Sequence, residues 1–387
     1  MEFKYLRKRL KNIFYNKKLP NQREMVTLDN SNPVGMCLVS YDERYIKTNN
    51  VELNRGHSSK WESREIALIF SRLGYNVDII NWQDNSFIPQ KKYNIIFDIH
   101  HNLSRLAPYL PQKTIKLLHS TGSFPEYAAH RELDRVDNLI KRKKKYYSPK
   151  RICDTVYFKR SAEIANAISL FGTEYTKNTF PEQFQNKITL LPVTFSLTSQ
   201  KDINQPLGDE FLWFYGGGAV HKGLDILLDI FLENQNYKLN VVGNLESEKD
   251  FMEIYNHELK GLSNIEYHGF LDPLSDKFKQ IIQRCFAFIA PSCSESTSTA
   301  AVTCLIAGLY PIYSIDNGVT LPDSTGYLLK NCSHEEIWKA IRLVSDYSEK
   351  DIKNDIKQII DFVSKKHSRE NFTFEMTRFL KKIINRI

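Results

Sequence analysis

Along residues 35–329 short apolar runs alternate with longer stretches in which apolar residues recur at helical spacing. Short runs of this kind read as buried strands, and the stretches between them as helices packed on a sheet. The first series of predicted strands is 35–41 (GMCLVSY), 76–82 (NVDIINW), 94–100 (NIIFDIH), 115–120 (IKLLHS), 167–171 and 188–193. Ser59-Lys60-Trp61-Glu62 reads as a capping box opening a helix that runs to Leu73 and is closed by Gly74. Around 198–209 (TSQKDINQPLGD) the periodicity lapses, as in a linker. A second series of strands then follows at 211–215, 238–242, 265–267, 286–290, 310–314 and 327–329. A further capping box is expected at 333–336, with amphipathic helices from there to the end of the chain. The pattern predicts an α/β protein of two Rossmann-like, doubly wound parallel-sheet domains with C-terminal helices. The expected divisions are an extension at 1–33, domains at 34–200 and 201–365, and a helix at 366–387 able to pack back on the first domain.

Composition narrows this picture. At 387 residues and 42% hydrophobic the chain can bury two cores, which excludes a disordered or fibrous protein. Its six cysteines are scattered without a C-x-x-C pair, as expected of a cytoplasmic protein. No run reaches the length of a membrane span, and the N-terminus lacks the apolar core of a signal peptide. The net charge of +8 comes from two blocks, 1–23 and 141–151 (KRKKKYYSPKR), so the rest of the chain is net acidic. In the first block Phe3, Leu6, Leu10, Ile13 and Phe14 recur at helical spacing among the cations. That suits an amphipathic helix lying on an anionic membrane surface, or a basic helix that merely packs on the next domain. Nucleic acid is not expected as a partner, because no aromatic-rich sheet or recognition-helix pattern accompanies the charge.

Two turns of the second series carry candidate chemistry. In 215–223 (YGGGAVHKG) three glycines follow a strand, and Lys222 stands just before a helix whose positive end could face phosphate. The turn matches neither G-x-G-x-x-G nor G-x-x-x-x-G-K-[ST], which disfavours a dinucleotide oxidoreductase or a P-loop enzyme. The other turn places Ser292, Ser294, Glu295, Ser296, Thr297, Ser298 and Thr299 between an apolar strand and an apolar helix. A carboxylate there can accept hydrogen bonds from sugar hydroxyls; the plainer reading is that the hydroxyls cap the helix.

Taken as a pair, strand-G-G-G-x-x-x-K-G-helix and a later P-S-x-x-E resemble the nucleotide-sugar glycosyltransferases of the GT-B fold. The likeness is greatest to retaining family 4, the glycosyl transferases group 1. It is carried by FYGGGAVHKGLDILLDIF, KLNVVGN, IEYHGFL and FAFIAPSCSESTSTAAVTCLIAGLYPIYS. In the first domain it is looser, through Gly-Tyr-Asn-Val at 74–77, Leu-Leu-His at His119 and Ala167-Ile168-Ser169. The resemblance implies that Lys222 binds the donor diphosphate and that Glu295 contacts the donor sugar and supports the departing nucleotide. It implies a histidine at the end of a first-domain strand against that sugar, best matched by His119, with His100, His101 and His57 as rivals. Gly217, Gly218, His221, Ser296, Thr297, Ser298 and Thr303 would complete the donor site. The chain departs from the family in two places: Thr303 stands where a second glutamate is common, and Gly217 where an arginine is common, with His221 able to replace part of that charge. No D-x-D triplet occurs, so neither a metal nor a further cofactor is expected. The implied activity is EC 2.4 transfer, with retention, from a nucleotide-sugar donor to a glycan or lipid-linked acceptor. An envelope or capsular polysaccharide pathway at the inner face of the cell membrane is the expected setting, with the two basic blocks as contacts. The alternatives are a GT-B nucleotide-sugar epimerase or hydrolase, and a catalytically silent sugar-nucleotide binding protein.

Overall fold

The computed structural model describes residues 24–54 and 57–385. The basic helix expected within 1–23 lies outside the described residues. The first sheet contains β1 (Val26–Leu28), β2 (Gly35–Tyr41), β3 (Tyr75–Asn81), β4 (Ile95–Asp98), β5 (Ile115–Ser120), β6 (Ala167–Phe171) and β7 (Ile188–Leu191), in the spatial order β1-β3-β2-β4-β5-β6-β7. Every pairing is parallel except that of β1, which runs antiparallel to β3 at the sheet edge. This three-residue edge strand, Val-Thr-Leu, was not anticipated from the sequence. The second sheet contains β8 (Glu210–Phe214), β9 (Leu239–Val242), β10 (Ile265–Tyr267), β11 (Cys285–Ala290), β12 (Tyr310–Ser314) and β13 (Tyr327–Leu329). Its order is β10-β9-β8-β11-β12-β13, wholly parallel. Strands such as β6 and β11 are buried along their whole length, as expected for strands covered by helices on both faces.

The chain starts this second sheet at β8, winds outward to β10, and crosses back to β11 on the other side of β8. The carboxyl ends of β8 and β11 are therefore neighbours at the point where the winding reverses, and a crevice opens there.

Neither predicted capping box forms as expected. In the helix Ser59–Arg72 the side chain of the N-cap residue Ser58 makes no capping bond, and the Ser59 amide donates instead to His57 Nδ1 at 3.1 Å. Glu62 instead turns inward and is buried, accepting bonds from Thr194 N–H at 2.8 Å and Thr194 Oγ1 at 2.7 Å. Thr194 lies in the segment leaving the first domain and offers two donors at once. At the helix His334–Ser345, Ser333 accepts from the Glu336 amide, but Glu336 accepts from the amides of Lys330, Asn331 and Cys332. The Ser333 amide donates to Asn331, so the reciprocal half of the box has no donor left.

Burial, partly offset by the Thr194 and Ser58 donors, raises the Glu62 carboxyl to about 7. The native state then holds a proton that the unfolded chain releases near pH 4.3. Between those values the native state binds more protons, so this group's contribution to stability falls as pH rises from about 4 to 7. Glu62→Gln is expected to stabilise the protein by about 1–3 kcal/mol at pH 8 and to change little at pH 4. Urea unfolding at the two pH values checks this; an equal difference at both contradicts it.

Three helices end the chain: His334–Ser345, Glu349–Lys366 and Arg369–Ile384. The last crosses to the first domain, where Phe372 meets Trp61 and Phe171 at ring distances of 5.7 and 6.0 Å, and Thr373 donates to Glu65.

A second seam between the domains is polar. From the helix Pro125–Lys143, Tyr127 and Arg131 reach Asp316 at 2.7 and 3.2 Å, and Arg135 donates to the Pro291 carbonyl at 2.6 Å. Arg142 pairs with Asp225 and Asp229, Lys143 with Asp229 and Glu258, and Lys150 with Asp250. The basic block 141–151, expected to face an anionic surface, thus spends three of its seven cations on acids of the second domain, leaving Lys141, Lys144, Lys145 and Arg151 exposed to solvent. The acidic balance of the rest of the chain explains the pairing. Among the described residues no helix is long and apolar enough to cross a membrane.

Candidate active site

The two turns read from the sequence meet at the crevice between β8 and β11. Tyr215 to Gly223 leaves β8 and leads into the helix Leu224–Glu233; Pro291 to Ser298 leaves β11 and leads into the helix Thr299–Ile306. Lys222 and Glu295 form an ion pair there, both largely enclosed. The Lys222 ammonium also lies 4.8 Å from the centre of the Tyr215 ring, and its carbonyl accepts from the buried Trp213 indole at 3.2 Å. Burial and then the charge of Arg151 press the Lys222 ammonium well below the ordinary lysine value. An arriving anion opposes that effect and favours the charged form.

His221 stands beside the pair, its Nε2 against the Ser294 carbonyl and 3.6 Å from the Glu295 carboxylate. Burial, opposed by Glu132 at 3.7 Å, lowers its pKa to about 4. His221 is therefore neutral at pH 7 and does not replace a missing cation.

The hydroxyls proposed for phosphate or ribose mostly hold the turn itself. Ser296 donates to the Thr121 carbonyl at 2.8 Å, Thr297 to the Gly318 carbonyl at 2.9 Å, and Ser298 caps the Ala301 amide at 3.3 Å. Thr303 donates at 2.7 Å to the Thr299 carbonyl one turn back, so its proton is spent within the helix. Gly217 and Gly218 adopt positive φ, and the amides of Gly218 and Ala219 point at the Glu248 carboxylate, at 2.5 and 3.2 Å, rather than into open space. Glu248 also accepts from the first-domain Tyr147 hydroxyl at 2.8 Å.

The histidines separate clearly. His119 is fully buried between Tyr41, Phe97 and Phe171, with Nδ1 2.8 Å from Ser169 Oγ, and is not brought to the Lys222–Glu295 pair. Burial lowers its pKa to about 3. His100 and His101 contact each other, and His101 meets Asn85. His57 alone of the four crosses to the second-domain turn, its Nε2 3.1 Å from Thr299 Oγ1.

Two supports of the site have no counterpart in the sequence reading. Asp316, Asn317 and Gly318, after β12, brace the Glu295 turn: the Glu295 amide donates to Asp316 O at 2.8 Å and the Ser298 amide to Asn317 O at 2.9 Å. Asn317 also accepts from Tyr215 OH and donates to the Ala290 carbonyl, joining both turns. An Asp-Asn-Gly after a strand is a turn signal that could have been read. Glu132, which accepts from the Lys150 and Arg151 amides near His221, carried no sequence signal because its partners are distant in sequence.

Comparison with known proteins accords with this geometry. Residues 196–359 match the family of glycosyl transferases group 1. No curated protein matches the sequence. Among solved structures, a sucrose-phosphate synthase from Thermosynechococcus elongatus superimposes with a TM-score of 0.62 at 14% identity, covering 91% of this chain and 99% of its own. HepE from Anabaena, in complex with UDP-glucose, gives 0.58 at 11% identity over 91% and 100%. A glycosyltransferase from Rickettsia africae gives 0.53 at 11% over 91% and 99%. At such identities the likeness is one of fold. The group 1 match spans the domain in which Lys222 and Glu295 meet, so residues 196–359 are similar to the glycosyl transferases group 1, and the whole chain has the two-domain fold of the solved glycosyltransferases it superimposes on.

Proposed function

We propose that the protein transfers a sugar, with retention and without a metal, from a nucleoside-diphosphate donor to a glycan or lipid-linked acceptor. The observation that carries this is the buried Lys222–Glu295 pair at the switch point of the second sheet, facing the first domain. A donor diphosphate laid against Lys222 neutralises the ammonium and releases Glu295 to accept bonds from the sugar hydroxyls. As the glycosidic bond lengthens, negative charge gathers on the departing diphosphate, where Lys222 stabilises it in a site closed to water. The acceptor hydroxyl, held by the first domain, attacks on the face the nucleotide leaves, which retains configuration without a covalent enzyme intermediate. No cofactor beyond the donor takes part. The HepE complex with UDP-glucose makes uridine donors the first to try. The setting we propose is polysaccharide synthesis for an envelope or capsule, at the cytoplasmic face of the membrane. The charge of residues 1–23, with Lys141, Lys144 and Lys145, supports that placement.

The test is release of nucleoside diphosphate from a panel of UDP-, GDP- and ADP-sugars, with and without a glycan and lipid extract. Release that depends on the extract is expected. Equal release without it identifies a hydrolase, and none from any donor identifies a silent binding protein. In the same preparation, removal of residues 1–23 is expected to weaken sedimentation with anionic vesicles; unchanged sedimentation removes the membrane placement.

A further inference from the structure

Charge at the donor site does not balance in the way the second domain alone suggests. Lys222 is neutralised by Glu295, His221 is neutral, and the Gly218 and Ala219 amides are taken by Glu248. The one cation of the second domain's glycine turn, Lys222, thus already has a carboxylate partner, which leaves a diphosphate carrying more charge than that turn's side chains balance.

The first domain supplies a candidate. Arg151 follows the helix Pro125–Lys143, and its backbone is anchored where both Glu132 oxygens accept its amide, at 2.9 and 3.0 Å. Its side chain lies over the glycine turn: a Cβ placed on Gly218 would come within 3.0 Å of Arg151 Cγ and 3.1 Å of Cδ. The bare glycine is what lets the stem pass. Arg151 is exposed to solvent, and among the described residues no carboxylate pairs with its guanidinium. The two nearest acids are already committed, Glu132 to amides and Glu248 to amides and Tyr147. The charge of Arg151 is also felt by Lys222, His221 and His57, which places it at the junction of all three.

We propose that Arg151, reaching across from the first domain, binds the donor diphosphate alongside Lys222 and stands in for the arginine absent at Gly217. The inference rests on the donor-site reading above. It makes the diphosphate site a shared one: neither domain alone carries both cations, so tight donor binding requires the domains to be together. A planar guanidinium can engage two phosphate oxygens at once, which the single ammonium of Lys222 cannot.

Calorimetry of the full chain with UDP, pyrophosphate and uridine tests this. Arg151→Ala is expected to weaken UDP and pyrophosphate about tenfold or more while leaving uridine affinity unchanged, with Arg151→Lys in between. Since Glu132 holds the Arg151 backbone amide, the anchor survives both substitutions. In turnover the loss should appear in donor KM more than in kcat. Unchanged UDP affinity in Arg151→Ala, or equal losses for UDP and uridine, overturns the assignment while leaving the Lys222 site standing. If the unaltered protein binds none of UDP, GDP and ADP, the donor-site reading itself falls.

Discussion

Lys222→Ala is expected to lower kcat/KM for the donor by two to three orders of magnitude. Removing one preorganised group that stabilises developing charge in a closed site typically costs about 3–4 kcal/mol, which is a factor of that size. The substitution also strips Glu295 of its ion-pair partner in a largely enclosed position. Glu295→Gln should have a comparable effect, because the amide keeps the shape and loses the charge that orders Lys222 and accepts from the sugar. The two residues act on one another, so the double variant should cost little more than the worse single one. Initial rates across donor concentrations settle the matter. Near-native turnover in either single variant, or strictly additive losses, refutes a joint role.

The second large effect is structural. Gly318→Ala is expected to disable the site and to destabilise the second domain by about 3 kcal/mol or more. Gly318 has φ +61°, and a Cβ there would overlap the Ser296 carbonyl, a backbone atom that cannot swing aside. The turn carrying Glu295 would have to move, breaking the bonds by which the Asp316 and Asn317 carbonyls hold the Glu295 and Ser298 amides. Thermal unfolding combined with donor titration measures both parts. A variant with native stability and activity would show that the Asp-Asn-Gly support is dispensable.

Much of this architecture was legible because parallel strands buried on both faces leave continuous apolar runs. β2, β5, β6, β10, β12 and β13 coincide with their predicted bounds, and the other predicted strands differ by one to three end residues. Lys222 and Glu295 were legible for a different reason: each follows a strand and precedes a helix, where a doubly wound sheet places its crevice. What the chain concealed is where side chains at those positions turn. Glu62 looked like a cap and serves the interdomain crossover, because Thr194, far along the sequence, offers it two donors. The hydroxyls of Ser296, Thr297 and Thr303 looked available to a ligand, yet each finds a carbonyl of the protein first. His119 sits at the right strand end but is enclosed by Tyr41, Phe97 and Phe171. The block 141–151 has the composition of a surface patch and becomes an interdomain contact only once acids of the second domain are folded beside it. Such choices among partners depend on tertiary proximity, which local pattern does not encode.

The cationic fringe of the helix Pro125–Lys143 has a kinetic corollary. Its ion pairs with Asp225, Asp229, Glu258 and Asp316 join the two domains, so on the proposed function any opening that admits or releases the donor would have to part them. Dissolved salt screens these pairs through their partly exposed cations and would ease opening, while the same screening would loosen the grip on an anionic substrate. Turnover is then expected to pass through a maximum as ionic strength rises.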